Sequence, residues 1–130
     1  MKLNDYLGYK IKMPKIRSEE HALDIAIKHW EQNSSLTCPQ MLKLNDKLES
    51  SVIHGTWCAL CTWHTATCNS CIVHMNGQLC SNGNSMYDRT MWAFYNFMEY
   101  QTAATFKLWK KAARNMYEFL LILKTKGEIV

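Results

Sequence analysis

We expect the fold of this chain to depend on the stretch Cys58-Ala-Leu-Cys61, six residues, Cys68-Asn-Ser-Cys71, and on Cys80 in the turn of Asn and Gly around it. From Ser50 to Tyr87 the sequence has no Asp, Glu, Lys or Arg, yet it holds five of the six cysteines and three of the five histidines. Two thiolates separated by two residues chelate one metal ion, and a tetrahedral ion takes two such pairs. The pattern therefore predicts a metal site held by cysteine thiolates.

Four cysteines are the first choice of metal ligands, and two other residues could replace one of them. The two pairs supply four thiolates, so we expect zinc to be held by Cys58, Cys61, Cys68 and Cys71. Only six residues connect the pairs. If this connection is too short to bring the second pair round the ion, Cys80 replaces Cys68 or Cys71. His74, three residues after Cys71, is another substitute.

The other cysteine, histidine and tryptophan residues near this stretch have simpler interpretations. His54 and His64 are expected to be polar loop residues. Trp57 and Trp63 flank the first cysteine pair, and we expect them to shield it, with stacking on a nucleic-acid base as the functional alternative. Cys38 lies outside the spacing pattern and is expected to be a small buried residue or a free thiol.

The rest of the sequence favours zinc over disulfides. The first residues do not resemble a signal peptide, and no uninterrupted apolar run exceeds five residues, which is too short to span a membrane. We therefore expect a cytoplasmic protein that does not enter a membrane and whose thiols stay reduced. An iron–sulfur cluster, which is also held by cysteine thiolates, is the alternative cofactor.

The charge of the chain is modest and arranged in blocks. It carries 15 Lys and Arg against 11 Asp and Glu, for a formal net charge of +4. Four thiolates on one Zn²⁺ would lower this charge by about 2. A DNA mimic is excluded because such a protein must be strongly acidic, and nucleic-acid binding is supported only weakly.

Helical patterns precede the cysteine stretch. Ser18 is a predicted N-cap before Glu19 and Glu20, and the apolar spacing predicts a helix that ends at about residue 32. Pro39 suits the first position of a second, short helix. The apolar side of that second helix is formed by Met41, Leu44 and Leu48.

A longer helical region follows, from a capping-box-like start at Ser85 to Lys124. Between Tyr87 and Tyr100 aromatic and Met side chains occur almost all round the helix, and we prefer burial by several neighbours to a partner surface. From Phe106 onward one arc is apolar, with Leu108, Trp109, Ala112, Ala113, Met116, Phe119, Leu120 and Leu123. The opposite arc is basic, with Lys107, Lys110, Lys111 and Arg114, and we prefer a solvated face to a phosphate-binding stripe.

These patterns predict one mainly α-helical domain, because 130 residues suffice for a single core. The fold class is a small helical domain with an irregular, cysteine-rich, metal-binding loop segment. We assign residues 1–17 to a basic N-terminal segment and residues 18–130 to the domain, with the metal-binding segment at 54–87.

Several short motifs follow one another in a set order. They are His29-Trp30-Glu31, the two cysteine pairs, Gly77-x-x-Cys80, the turn Ser85-x-Tyr87, and a closing helix that contains Ala112-Ala113-x-x-Met116-x-x-Phe119-Leu120. In this order they resemble a family of small, uncharacterised tailed-phage proteins, over roughly residues 20 to 124. The resemblance implies a phage origin and an α-helical fold around a cysteine site, and it implies no activity.

The sequence favours a protein that is not an enzyme. A site closed by four cysteines has no open coordination position, and the cysteine stretch contains no Asp or Glu to move protons. The sequence also lacks a nucleophile elbow and a phosphate-binding glycine loop. We therefore expect a binding function.

The sequence suggests two alternative binding functions, one with a protein partner and one with a nucleic acid. The first is an accessory protein whose zinc-stapled scaffold presents aromatic and Met residues to a host protein and modulates a host process or defence. The second is a nucleic-acid-binding module that uses the basic arc, together with Lys10, Lys12, Lys15 and Arg17, for phosphates and Trp57 or Trp63 for stacking. We prefer the first, because the formal positive charges nearest to the cysteine stretch are Lys47 and Arg89.

Overall fold

The computed structural model describes residues 2–7, 15–44 and 86–125. These residues form a short 3₁₀ turn, Leu3–Asp5, and four α-helices: α1 (Glu19–Ser35), α2 (38–44), α3 (Met86–Tyr100) and α4 (Ala103–Thr125). No described residue belongs to a β-strand. The prediction of a mainly helical protein is therefore confirmed, whereas the predicted cysteine segment lies outside the described residues. In the described part of the chain, every helix is too short or too polar to cross a bilayer.

Helix α1 begins where its capping residues predict. The Ser18 hydroxyl accepts a hydrogen bond from the backbone N–H of His21 at 3.0 Å, and Glu19 and Glu20 occupy the first turn, where acidic side chains favour the helix dipole. The helix ends at Ser35, three residues beyond the predicted end. In this last turn the hydroxyls of Ser34 and Ser35 both donate to the carbonyl oxygen of Glu31, so these polar groups are satisfied within the helix.

Helix α2 begins with a capping box that the sequence analysis overlooked. The Thr37 hydroxyl accepts from the N–H of Gln40 at 3.3 Å, and the Gln40 side chain accepts from the N–H of Thr37 at 2.9 Å. Pro39 lies in the first turn, as predicted, although the helix begins one residue earlier, at position 38. Met41 and Leu44 are buried, which confirms the predicted apolar side, and Leu48 lies outside the described residues.

The helical region predicted up to Lys124 contains a break at residues 101–102. Gln101 has a positive φ of 48°, and its N–H donates to the carbonyl oxygen of Phe97 at 2.7 Å, which is the pattern that ends a helix. Thr102 then caps α4, because its hydroxyl accepts from the N–H of Thr105 at 3.1 Å. No Gly or Pro marks this break in the sequence, so apolar periodicity alone does not reveal it.

Helix α4 packs against both α1 and α3 and supplies the centre of the core. The fully buried ring of Trp109 lies 6.3 Å from the ring of Trp30 on α1 and 5.4 Å from that of Phe94 on α3, measured between centroids. Near the turn between the two helices, the rings of Phe97 and Phe106 are also 5.4 Å apart. The aromatic rings of three helices therefore meet around one tryptophan.

The buried residues of α4 recur every three or four positions, as the sequence predicts for a core-facing stripe. We call this set the core stripe; its members are Trp109, Ala113, Met116, Leu120 and Leu123. Two polar contacts join the same helix to α1. The Tyr117 hydroxyl donates to Glu31 Oε2 at 3.3 Å, and Lys124 forms an ion pair with Asp24, which raises the pKa of the lysine.

The N-terminal turn docks on α1 through a buried tyrosine. Tyr6 is completely buried, and its ring stacks on that of His29 at a centroid distance of 5.6 Å. Its hydroxyl donates to Asn33 Oδ1 and lies 3.1 Å from His29 Nε2. Because a phenol has one proton to donate, the second bond forms when His29 carries its hydrogen on Nε2. Burial raises the pKa of Tyr6 well above the usual value.

Gln32 fixes the backbone of the same turn. Its side-chain amide donates to the carbonyl oxygen of Asp5 at 2.9 Å and accepts from the N–H of Leu7 at 2.7 Å. Both backbone groups are thereby satisfied where the turn meets α1. The roles of Tyr6 and Gln32 are not evident from the sequence, because hydrogen bonds across more than 20 positions leave no periodic signal.

Candidate functional site

The residues predicted to bind metal lie outside the described part of the chain. This holds for Cys58, Cys61, Cys68, Cys71, Cys80 and His74, and for Trp57, Trp63, His54 and His64. The described residues contain no group of three or more His, Cys, Asp or Glu side chains arranged to hold a metal ion. Cys38, at the start of α2, is half-buried and packs against the core. The zinc site therefore stays a prediction from the sequence.

The predicted basic arc of α4 is exposed, and two of its four cations contact neighbours on the same helix. Lys110 Nζ lies 5.8 Å from the centre of the Phe106 ring. The guanidinium of Arg114 lies 5.5 Å from the Tyr117 ring, and its Nε donates to Glu118 Oε1 at 3.1 Å. Glu118 also adds a negative charge next to the arc. These contacts favour the interpretation of a solvated helix face.

Helix α3 carries an exposed aromatic surface that the sequence analysis assigned to the core. Thr90, Phe94 and Phe97 are buried, so this side of the helix faces α4. Trp92, by contrast, is 70% exposed and Tyr95 is 48% exposed. The preference for burial all round this helix is therefore wrong for these two side chains and for Tyr100, which is 61% exposed. A projection of α3 places Trp92 nearly opposite Thr90 and Phe94, but it does not tell which of these sides a neighbour covers.

Two carboxylates share this side of α3. At 100° per residue, Asp88, Trp92, Tyr95 and Glu99 fall within an arc of about 60°, and we call these four residues the aromatic face. Asp88 precedes Trp92 by one turn and Glu99 follows Tyr95 by one turn, so an acidic group flanks the aromatic pair at each end. The Tyr95 ring is held edge-on to the buried Phe94 ring, at a centroid distance of 5.6 Å and an angle of 78°.

This arrangement suits binding of an apolar or cationic side chain. A tryptophan ring is the strongest aromatic partner for a Lys or Arg side chain, and nearby carboxylates add attraction for the same cation. The contact between Tyr95 and Phe94 orients one of the two rings before any partner arrives, which lowers the entropy lost on binding. The aromatic face therefore has the chemistry of a protein-binding surface.

Comparison with known proteins gives no match. No family model, no curated protein and no solved structure matches this chain. The aromatic face and the cysteine spacing are therefore the features from which a function can be argued.

Proposed function

We propose that this chain is a small, non-enzymatic accessory protein of tailed-phage type that binds a host protein in the host cytoplasm and modulates its activity. The aromatic face of α3 is the proposed binding surface. The single observation that carries the proposal is the 70% exposure of Trp92 beside the exposed Tyr95. The resemblance in cysteine spacing supports the phage origin.

Exposed Trp and Tyr side chains support a protein partner for energetic reasons. These residues dominate the binding energy of protein interfaces, and truncating one central anchor costs about 2–4 kcal/mol. Covering this indole with a partner would remove apolar surface from water and would therefore favour association. Asp88 and Glu99 further favour a partner that brings Lys or Arg to Trp92.

Zinc has a structural role in this proposal. Two Cys-x-x-Cys pairs supply four soft thiolate ligands, the donor set that suits a closed tetrahedral zinc site. Cys58, Cys61, Cys68 and Cys71 would hold the ion, with Cys80 as the alternative ligand. The bound metal would contribute folding free energy to the cysteine segment. A cluster of iron and sulfide is the alternative occupant.

Nucleic-acid binding is the competing function. It would use the exposed Lys107 and Lys111 for phosphates and Trp57 or Trp63 for base stacking. Because Lys110 and Arg114 already contact neighbours on α4, the basic arc offers fewer uncommitted cations than its sequence suggests. This reduces the expected affinity for a polyanion.

The proposal is tested by affinity capture of the full chain from a bacterial lysate with quantitative mass spectrometry. The Trp92→Ala/Tyr95→Ala variant should lose at least about 10-fold of one captured protein, since each aromatic anchor contributes more than 1 kcal/mol. The matched control, Lys107→Glu/Lys110→Glu, should retain that protein, also at high salt. Circular dichroism of both variants checks that the helices persist.

The same samples distinguish the competing function. Capture of nucleic acid that weakens steeply with salt and disappears in the lysine variant would replace the proposed function with the alternative. Equal capture of all proteins by the native chain and the aromatic variant would contradict the proposal. Elemental analysis of the purified protein identifies zinc or iron.

A further inference from the structure

Helix α4 carries a second apolar stripe beside its core stripe. Its members, which we call the outer stripe, are Leu108, Ala112, Asn115, Phe119 and Ile122, separated by four, three, four and three positions. Leu108 is 56% exposed and Ile122 is 50% exposed, although the sequence analysis placed Leu108 in the core-facing arc. This spacing is the one by which a helix packs along another helix. In the described part of the structure no helix covers these two ends of the outer stripe.

A groove lies next to the outer stripe. It has a volume of about 320 Å³ and runs between α3 and α4, where Met86 and Thr90 face Ala112 and Phe119. The two helices approach closely here, since the Thr90 hydroxyl lies 3.5 Å from the carbonyl oxygen of Ala112. The small side chain of Ala112 leaves this groove open, so a large side chain from another helix can enter it.

The order of residues in the outer stripe is self-complementary. Leu108 lies seven positions before Asn115 and Ile122 lies seven positions after it. When a second copy of the stripe runs antiparallel, with a two-fold axis at Asn115, Leu108 lies opposite the partner's Ile122. Ala112, three positions before Asn115, then lies within one position of the level of the partner's Phe119, four positions after it, so that the largest side chain of the stripe meets the smallest. The two Asn115 amides meet on the axis, where each can donate to the other.

The charged residues beside the outer stripe are also complementary in this antiparallel arrangement. Lys111 and Glu118 border the outer stripe on one side and lie four and three positions from Asn115. The antiparallel arrangement therefore places Lys111 opposite the partner's Glu118, and the symmetry repeats this pair. Glu118 is about half exposed and is bonded to Arg114 through one oxygen, Oε1, which leaves Oε2 for a second cation. We propose that this chain forms an antiparallel homodimer through the outer stripe of α4.

This dimer goes beyond the proposed function and does not depend on it. Trp92 and Tyr95 do not line the groove between α3 and α4, so the two proposals rest on different residues. Shape and charge both select a second copy over another helix as the occupant, because an interface with a two-fold axis needs a surface that is complementary to itself. Most soluble oligomers are built in this way.

The test measures the mass of the full chain in solution by sedimentation equilibrium, over a range of protein concentrations. The native chain should be a dimer. Lys111→Glu alone and Glu118→Lys alone each place like charges opposite each other twice, and each should raise the dissociation constant about 10-fold or more. The double variant Lys111→Glu/Glu118→Lys restores opposite charges and should restore the native dissociation constant. Lys107→Glu, outside the pairing, is the control and should leave it unchanged.

Apolar substitution gives a second measurement. Leu108→Glu should abolish the dimer without loss of helix content, because Leu108 is exposed within one copy. A native chain that is monomeric at every concentration would overturn the proposal, whatever segment or protein covers the stripe instead. A dimer that is insensitive to Leu108→Glu, or single charge reversals that the double variant does not rescue, would overturn it as well.

Discussion

The ring of Tyr6 stacks on the ring of His29, and the phenol oxygen lies 3.1 Å from His29 Nε2. Replacing Tyr6 with Phe keeps the stacked ring but leaves the buried side chains of His29 and Asn33 without this hydroxyl. We expect the free energy of unfolding to fall by about 0.5–1.5 kcal/mol, the net contribution of one intramolecular hydrogen bond. Denaturant unfolding monitored by circular dichroism measures the change. Tyr100→Phe, at an exposed position, is the matched control and should change stability little.

The raised pKa of Tyr6 predicts a loss of stability at alkaline pH. In the unfolded chain Tyr6 releases its proton near the usual pKa of about 10, whereas burial keeps it protonated in the folded chain. Above this pH the unfolded state binds fewer protons than the folded state, so the free energy of unfolding decreases as the pH rises. Below a pH of about 10, Tyr6 is protonated in both states, so its contribution to the free energy of unfolding does not change with pH. Denaturant midpoints at about pH 9 and pH 11 should therefore differ more for the native chain than for Tyr6→Phe, and equal differences would refute this assignment.

The positive φ of Gln101 predicts a stabilising substitution. A residue with a Cβ atom pays roughly 1–2 kcal/mol in the left-handed region, whereas glycine adopts it freely. Gln101→Gly should therefore raise the free energy of unfolding by about 1 kcal/mol, after the added entropy of the unfolded chain is subtracted. Thermal unfolding measures the gain. Gln101→Ala keeps the Cβ atom and should show no gain; a gain of the same size would mean that the side chain, not the backbone, is strained.

The cysteine pairs predict a metal-dependent fold. Replacing Cys58 and Cys61 with Ser should remove bound zinc and abolish the cooperative thermal transition, because metal binding contributes to folding in small domains. Cys38→Ala is the control: its thiol lies outside the pattern, and the change should cost no more than about 1 kcal/mol. Native mass spectrometry gives the metal content. A Cys58→Ser/Cys61→Ser variant with its native transition would defeat the prediction.

Local signals predict much of this fold. The hydroxyl of Ser18 and the acids after it fix the start of α1, and the periodic apolar residues of α4 identify the wider arc that contains the core stripe. Such signals act within one turn or along one helix, so a single sequence displays them. The break at Gln101 is not predicted, because it depends on a residue that adopts the left-handed conformation although it is not glycine.

The features that the sequence does not predict depend on contacts between different helices. The apolar pattern of α3 cannot say which of its aromatic residues a neighbour covers, so Phe94 and Trp92 are equivalent in composition but opposite in exposure. Likewise, Leu108 and Trp109 are adjacent in the chain, and only the positions of α1 and α3 make one of them exposed. The contacts of Tyr6 with α1 are long-range and therefore have no local signature.

The central position of α4 has a consequence for how the protein is made. Asp24 on α1 pairs with Lys124, which lies 100 positions later in the chain. Trp30 on α1 packs against Trp109, which lies on the same helix as Lys124. At a translation rate of roughly 5–20 residues per second, the apolar side of α1 leaves the ribosome on the order of 5–20 s before its partner helix. During that interval α1 lacks its contacts with α4, whereas α3 and α4 are adjacent in the chain and can pair almost at once. The contacts between α1 and α4 can therefore form only near the end of synthesis.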